Sequence, residues 1–247
     1  MAATFSAKNP YSSNITENRL LNGEGATKET RHFVFNLPDE GLEYKVGDAL
    51  GVIGENPVPT VEAILACTGW DGQMQVTTHT GEKNLRQALL TDVEIHRVNK
   101  KFINSLLERI AEERGMMSAR ITSRSRSSVS GGESNSWNWL GESDDWPDNY
   151  PSISQGSSPR AIVENLTEDA EAMENYIWSR DYIDVIEQFG VLHSPEELLS
   201  LADKLKPRLY SIASSLDAHP GKVELTVAIV RYEHHDRLRG GLCTAYM

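Results

Sequence analysis

The stretch PRLYSIASS, Pro207–Ser215, decides how this chain is interpreted, because a β-strand pattern returns here after a long helical region. Arg208 and Tyr210 stand two residues apart and therefore lie on one side of a strand. A guanidinium binds phosphate oxygens, a tyrosine ring offers a stacking face, and Ser211 can hydrogen-bond the edge of a planar ligand. Taken alone, the four residues favour a structural interpretation instead, namely an arginine at a strand rim, a buried tyrosine and a turn serine.

Three further segments show strand patterns. RHFVFNL, residues 31–37, and VELTVAIVRY, residues 223–232, both alternate apolar residues with others, as half-buried strands do. YKVGDALGVIG, residues 44–54, predicts a bend at Gly47 and Asp48 followed by a buried run from Ala49 to Ile53. Two of these segments lie near the start of the chain and one near its end.

The region between these strands predicts helices and one insert. Apolar stripes indicate helices over Asn84–Leu90, Asn99–Arg114 and ENYIWSRDYIDVIEQF, residues 174–189, and the sequence SPEE at 194–197 is a capping box. Residues 115–160 are dominated by Ser, Gly, Asn, Asp and Pro and cannot bury enough apolar surface to offset their ordering entropy, so we predict a disordered insert. The order of β, helical and β regions indicates a barrel or sandwich interrupted by a helical excursion.

Composition excludes several classes of protein. The 247 residues carry a net charge of -12, and nucleic-acid binding needs a basic face, so we expect no nucleic-acid partner. The two cysteines, Cys67 and Cys243, are far apart and predict neither a disulfide framework nor a zinc site. No stretch approaches the roughly 18 apolar residues of a membrane span, and the N-terminus lacks the pattern of a secretory signal. We therefore expect a cytoplasmic protein without a membrane partner.

The segment RGGLCTAYM, residues 239–247, predicts an anion-binding turn. Gly240 and Gly241 let backbone amides approach an anion closely, and Leu242, Cys243 and Thr244 can begin a helix whose first amides point at a phosphate. A pair of glycines is also common in ordinary turns. The sequence contains no GxGxxG fingerprint after a strand and no Walker A lysine, which excludes a dinucleotide-binding Rossmann unit and a P-loop within it.

Three other patterns are assigned no chemistry. EHHD at 233–236 has adjacent side chains that diverge on an extended chain, so we predict a solvated hairpin loop and no metal site. Cys243 has no identifiable base, which favours a small packed residue or a backbone donor over a nucleophile. Asp181 and Asp184 are interpreted as the polar face of one helix. We assign no catalytic residue.

The ordered motifs PRLYSIASS, VELTVAIVRY and RGGLCT together resemble the FAD-binding domain of the diflavin reductases, and most of all the flavoprotein subunit type of NADPH-dependent sulfite reductases. The early RH and GDALGV segments resemble that family's first barrel strands. The likeness covers residues 4–110 and 165–247. It implies a mainly β chain with an α insertion: a ferredoxin-reductase-like antiparallel β-barrel, here incomplete, plus a helical connecting domain.

The resemblance also implies FAD as cofactor and a role for each motif. Arg208 would bind the FAD pyrophosphate, Tyr210 would stack on the isoalloxazine, and Ser211 would lie near flavin N5. Leu209, the remaining residue of the RLYS motif, would also contact FAD. Further FAD contacts would come from Thr226, Val227 and Ala228 at the flavin edge, Tyr232 and His32 near the adenosine, and Gly241, Leu242, Cys243 and Thr244 at the pyrophosphate.

The implied organisation is first barrel strands over 1–58, helical connecting regions over 59–114 and 161–206 around the 115–160 insert, and a second barrel part with the FAD motifs over 207–247. The family's chain continues into an NADPH-binding domain, whereas this sequence ends at Met247. We therefore expect a truncated electron-transfer module. It would work with a redox partner such as a sulfite reductase haemoprotein and with a separate NADPH- or FMN-binding chain. The alternative is a flavin-free barrel that acts as an interaction module.

Overall fold

The computed structural model describes residues 5–7, 9–38, 42–124, 159–191, 193–234 and 237–247. The strands are β1 (Ile15–Leu20), β2 (Thr30–Asn36), β3 (Ala49–Val52), β4 (Gln75–Thr78), β5 (Gly81–Asn84), β6 (Arg208–Ser211), β7 (Lys222–Ala228), β8 (Arg231–His234) and β9 (Arg237–Gly240). The helices are α1 (Val58–Thr68), α2 (Leu85–Thr91), α3 (Lys100–Arg124), α4 (Pro159–Glu168), α5 (Ala170–Ser179), α6 (Tyr182–Phe189), α7 (Pro195–Leu201) and α8 (Leu242–Tyr246).

The chain divides into two compact units. The first comprises Met1–Val61, Leu89–Glu94 and Lys204–Met247, and the second comprises Glu62–Ala88 and Ile95–Asp203. The first unit thus contains every residue that the sequence nominates for the FAD site. It includes the short segment Leu89–Glu94, which comprises the last residues of α2 and the three residues after it.

The first unit is built on an antiparallel sheet of order β1-β2-β7. Phe33 pairs with Leu225 and Phe35 with Val223, so the alternating apolar side chains of both strands meet on one face. With Tyr44 and Val227 these four side chains form the buried core cluster. The alternation predicted for both segments is confirmed.

The predicted antiparallel pairing is confirmed, but a barrel is not. In the described residues β3 pairs with β6 and β8 pairs with β9, and neither pair is part of the three-stranded sheet. These strands therefore do not form a closed barrel. A single bridge, Ile212 to Leu225, links the continuation of β6 to β7. A barrel requires an unbroken ladder of strand pairs around its circumference. The chain is therefore mixed α/β with antiparallel sheets.

Two strand predictions need correction. The segment 49–53 is not a buried run, because β3 alternates exposed and half-buried residues. β3 pairs with β6 in a two-stranded sheet. Leu50 and Val52 pack against the core cluster, whereas Ala49 and Gly51 on the other face are exposed. The segment VELTVAIVRY is not one strand either: β7 ends at Ala228, and β8 begins at Arg231 and pairs with β9.

The second unit contains the hairpin of β4 and β5 and most of the helices. The apolar stripe predicted on α3 is confirmed, since Phe102, Ile103, Leu106 and Ile110 are buried. The helix ends later than predicted, because α3 continues to Arg124, ten residues beyond Arg114 and into the segment assigned to the insert. Residues 125–158, which make up most of that segment, lie outside the described residues.

Helix termini in the second unit follow local capping chemistry. The capping box predicted at Ser194 is confirmed, with Pro195 in the first turn of α7. The single helix predicted over 174–189 is wrong: the chain breaks into α5 and α6 at Asp181, whose side chain accepts from the backbone N–H of Asp184. Asp181 is therefore a buried N-cap rather than part of a polar helix face. Among the described helices, none is long and apolar enough to cross a membrane.

Candidate functional site

The motif RLYS forms β6, and the strand pattern sorts its side chains onto two faces. Arg208 and Tyr210 are half-buried on one face, whereas Leu209 and Ser211 are exposed on the other. β3 fixes this arrangement by antiparallel pairing, with Val52 opposite Arg208. The prediction that Arg208 and Tyr210 share one side of a strand is confirmed.

Arg208 contacts a carboxylate from a distant part of the chain. Its Nη2 donates a hydrogen bond to Oε1 of Glu94 at 2.9 Å. The guanidinium carries five N–H donors in a rigid plane, and this bond uses one of them. Sequence patterns did not identify Glu94, because 114 positions separate the two residues and no local pattern marks either as the other's partner.

Tyr210 lies between the core and the C-terminal helix. Its side chain packs against the core cluster. Burial raises the pKa of Tyr210 to about 12, and the thiol of Cys243, which interacts with the phenol, acts in the same direction. Burial likewise raises the pKa of Cys243, with the backbone of Gly54 and the charge of Arg208 opposing. Both groups are therefore neutral at pH 7, which agrees with a packed residue rather than a nucleophile at Cys243.

Cys243 joins the RLYS motif to the GDALGV segment. Its Sγ donates to the carbonyl of Val52 at 3.4 Å. A Cβ placed on Gly54 would stand 3.2 Å from both Cα and Sγ of Cys243, so the chain after β3 passes directly against α8. Three segments that are separate in sequence thus meet at Cys243: the end of β3, β6 and the start of α8.

The RGGLCT segment forms a tight turn into α8, and the predicted helix start is confirmed with Gly241 at the N-cap. Gly241 N donates to the carbonyl of Val230 at 3.1 Å. Thr244 Oγ1 donates to the carbonyl of Gly241 at 3.1 Å and accepts from Val230 N at 3.4 Å. A Cβ on Gly241 would lie 2.8 Å from that Oγ1 and 3.1 Å from the Val230 Cβ. Only glycine fits this position without a local shift.

A second group of nominated residues lies along β2 and β7. His32 pairs with Thr226, and Ala228 follows on the same face, whereas Val227 points into the core. His32 Nε2 lies 3.7 Å from a carboxylate oxygen of Glu224. Because side chains alternate along a strand, His32 lies on the face of β2 opposite the core phenylalanines. The structure therefore does not bring His32 together with Tyr210, which packs on the core side.

The β8–β9 hairpin carries the last nominated residue, Tyr232, whose side chain is 44% exposed and pairs across the hairpin with Arg239. The predicted hairpin at EHHD is confirmed by this pairing, and residues 235–236 of that motif lie outside the described residues. Among the residues that the structure describes, no cluster of His, Cys, Asp and Glu has the arrangement of a metal site.

Comparison with known proteins identifies what these motifs resemble. A family model described as "FAD binding domain" matches residues 3–114 and 157–246. The unmatched residues 115–156 lie inside the stretch predicted as an insert. The match includes both of the strand regions and the GGLCT turn.

Similar curated proteins share one description. The sulfite reductase [NADPH] flavoprotein alpha-component of Bacillus subtilis is 33% identical over 245 residues, which is 98% of this chain and 33% of that protein. The proteins of the same description from Vibrio cholerae serotype O1 (strain ATCC 39315) and Mannheimia succiniciproducens are 28% and 24% identical, over 98% and 100% of this chain. The chain spans about a third of the length of these relatives.

Proposed function

Because the chain belongs to the family of FAD-binding domains, we propose that it holds FAD beside β6 and α8 and serves as the electron-transfer module of a sulfite-reductase-type flavoprotein. The observation that carries this proposal is the convergence of Arg208, Tyr210 and the Gly241 turn around Cys243. A cation, a half-buried aromatic ring and a close-packed glycine turn are what a ligand with a pyrophosphate and a flat ring system requires.

The residues present fit FAD on the geometry of this site. The turn at Gly241 leaves no room for a Cβ, because Thr244 and Val230 occupy that space, so glycine is needed for the turn that brings the start of α8 beside β6. Arg208 has donors beyond the one given to Glu94. The exposed Leu209 and Ser211 lie on the opposite face of the same short strand.

We assign the parts of FAD to three groups of residues. Arg208 and the turn of Gly241, Leu242, Cys243 and Thr244 would hold the pyrophosphate, and Tyr210 would stack on the isoalloxazine. Leu209 and Ser211 lie on the other face of β6 and would contribute through backbone groups. Residues 226–228 would contact the flavin edge through backbone groups, which is supported by the place of β7 at the edge of its sheet.

The adenosine half is assigned to Tyr232, whose exposed ring offers a stacking face. For His32 the structure offers no such support, because its imidazole faces Glu224 on the outward side of β2.

When bound, FAD would accept electrons from a nicotinamide and pass them on, while the protein supplies orientation and electrostatics. We infer that the complete protein takes electrons from NADPH and delivers them to an acceptor, for which a sulfite reductase haemoprotein is the candidate partner. This inference is supported by the names of the relatives, which are sulfite reductase [NADPH] flavoprotein alpha-components. The NADPH site would lie in another domain or chain, and an FMN-binding chain or domain is a further candidate partner.

The test is the visible absorption spectrum of the purified chain during titration with FAD, compared with Arg208→Ala. Losing one charge-assisted bond costs about 1.5–3 kcal/mol, so the mutant should bind FAD roughly 10- to 100-fold more weakly. Arg19→Ala is the matched control, because Arg19 is an exposed arginine of the same unit that pairs with Glu17 on β1. A chain that neither co-purifies with flavin nor perturbs its spectrum would refute the proposal and favour the flavin-free interaction module.

A further inference from the structure

We propose that Glu94 is a positioning residue for the FAD pyrophosphate: it holds the guanidinium of Arg208 in the orientation in which its remaining donors meet the phosphates. This inference rests on the proposed function of Arg208. Glu94 lies outside the three motifs, and its role would be to orient the Arg208 guanidinium before the ligand binds.

The geometry of the ion pair is the first step. Arg208 Nη2 lies 2.9 Å from Glu94 Oε1, within the range of a charge-assisted hydrogen bond. The Arg208 side chain is 37% exposed, whereas that of Glu94 is 16% exposed. The carboxylate is therefore the more deeply buried partner, and the guanidinium is the more accessible of the two to an anionic ligand that approaches from solvent.

The second step is that the segment carrying Glu94 is held on two sides. Asn56 Nδ2 donates to the carbonyls of Leu89 and Val93 at 2.7 and 2.6 Å. Asn56 is 2% exposed, so both bonds are sheltered from water. On the other side Leu205 N donates to the carbonyl of Asp92 at 3.0 Å. These bonds fix the backbone just before Glu94 against both the chain after β3 and the chain that leads into β6.

Physical chemistry connects this rigidity to binding. A free arginine side chain loses much of its rotamer entropy when it binds a phosphate. Glu94 would impose that order in advance, because the backbone before it is held, its side chain is mostly buried and the guanidinium is planar. The same carboxylate also offsets part of the positive charge that attracts a phosphate. We expect the ordering of Arg208 to affect FAD binding more than the compensation of its charge.

Replacing Glu94 separates the two effects. Glu94→Gln keeps an oxygen that accepts from Arg208 and removes the charge, whereas Glu94→Ala removes both. If ordering dominates, Glu94→Ala should bind FAD about tenfold more weakly, the loss expected from releasing one long side chain. Glu94→Gln should stay within about threefold of the wild type by the same reasoning.

The experiment is a double-mutant cycle of FAD dissociation constants, with the full chain carrying Glu94→Ala, Arg208→Ala or both, and Glu94→Gln as the conservative rescue. Thermal unfolding of each apo variant provides an independent measure of folding. The expected result is that Glu94→Ala weakens binding in the wild type and adds nothing once Arg208 is absent.

Several results would overturn the inference. FAD binding by Glu94→Ala that equals or exceeds that of the wild type would show that charge compensation dominates. A loss that is undiminished in the Arg208→Ala background would show that Glu94 acts independently of Arg208. A loss that Gln does not restore would assign the effect to charge rather than to ordering. Absence of FAD binding by the wild type would instead refute the proposed function itself.

Discussion

Gly241→Ala tests the close packing on which the proposed pyrophosphate turn depends. The new Cβ would stand 2.8 Å from Thr244 Oγ1 and 3.1 Å from the Cβ of Val230. The backbone conformation is not the obstacle, because Gly241 has φ of -68°, which any residue adopts. The substitution therefore acts only through steric overlap.

The cost follows from what must move. Thr244 can rotate its hydroxyl away, but the hydroxyl then loses its bonds to the carbonyl of Gly241 and to Val230 N. Each such bond contributes about 0.5–1.5 kcal/mol net. The contact with the Val230 Cβ involves the start of a branched side chain and must be relieved by a backbone shift. We expect a total destabilisation of about 2 kcal/mol, which is typical of overpacked sites.

Urea unfolding followed by far-UV circular dichroism measures the loss of free energy. In thermal unfolding the melting temperature should fall by roughly 6 °C for a chain of this size. Gly23→Ala is the matched control, because no heavy atom lies within 4 Å of a Cβ at that position. In the Thr244→Ala background the cost of Gly241→Ala should shrink, since the closest contact is gone. Equal stability of the two alanine variants, or an undiminished cost in that background, would contradict the steric reasoning.

Three further predictions concern positions outside the turn. Asn56→Ala should lower the free energy of unfolding by about 3 kcal/mol in urea unfolding, because two buried carbonyls lose their donor. Asn56→Asp also lacks the donor amide, so it should not restore the lost stability. Asp181→Ala removes the N-cap of α6 and should cost about 1 kcal/mol in the same assay, whereas Asp181→Asn should cost less. Burial, assisted by the charge of Arg109 and opposed by that of Glu197, lowers the pKa of His193. Below the unfolded-state pKa of about 6.5 the unfolded chain binds more protons at His193 than the folded chain, so the free energy of unfolding should fall as the pH drops from 7 to 5. His193→Gln should weaken this pH dependence. An unchanged dependence in that variant would show that His193 is not its source.

Local patterns predicted the elements that depend on neighbouring residues. The alternation in RHFVFNL and in residues 223–227 identified two core strands, because a strand buries every second side chain. The capping box at Ser194 and the helix start after Gly241 were identified for the same reason, since their hydrogen bonds close within a few residues.

Predictions failed where a tertiary contact decides the outcome. The buried run assigned to residues 49–53 is half exposed, because its burial depends on which strand pairs with β3 and on what covers the other face. The break at Asp181 replaced one long helix by two, although each half has an apolar stripe of its own. Apolar spacing alone does not distinguish a continuous helix from two helices joined at a cap.

The sequence by itself determined which residue types are available to a flavin: an arginine and a tyrosine on one face of a strand, and a glycine turn before a helix. The tertiary structure decided that these segments meet at Cys243, that His32 faces away from them, and that Arg208 pairs with Glu94. The physical reason is the range of the interactions. Strand alternation and capping are set by adjacent residues, whereas an ion pair across 114 positions exists only once the chain has folded.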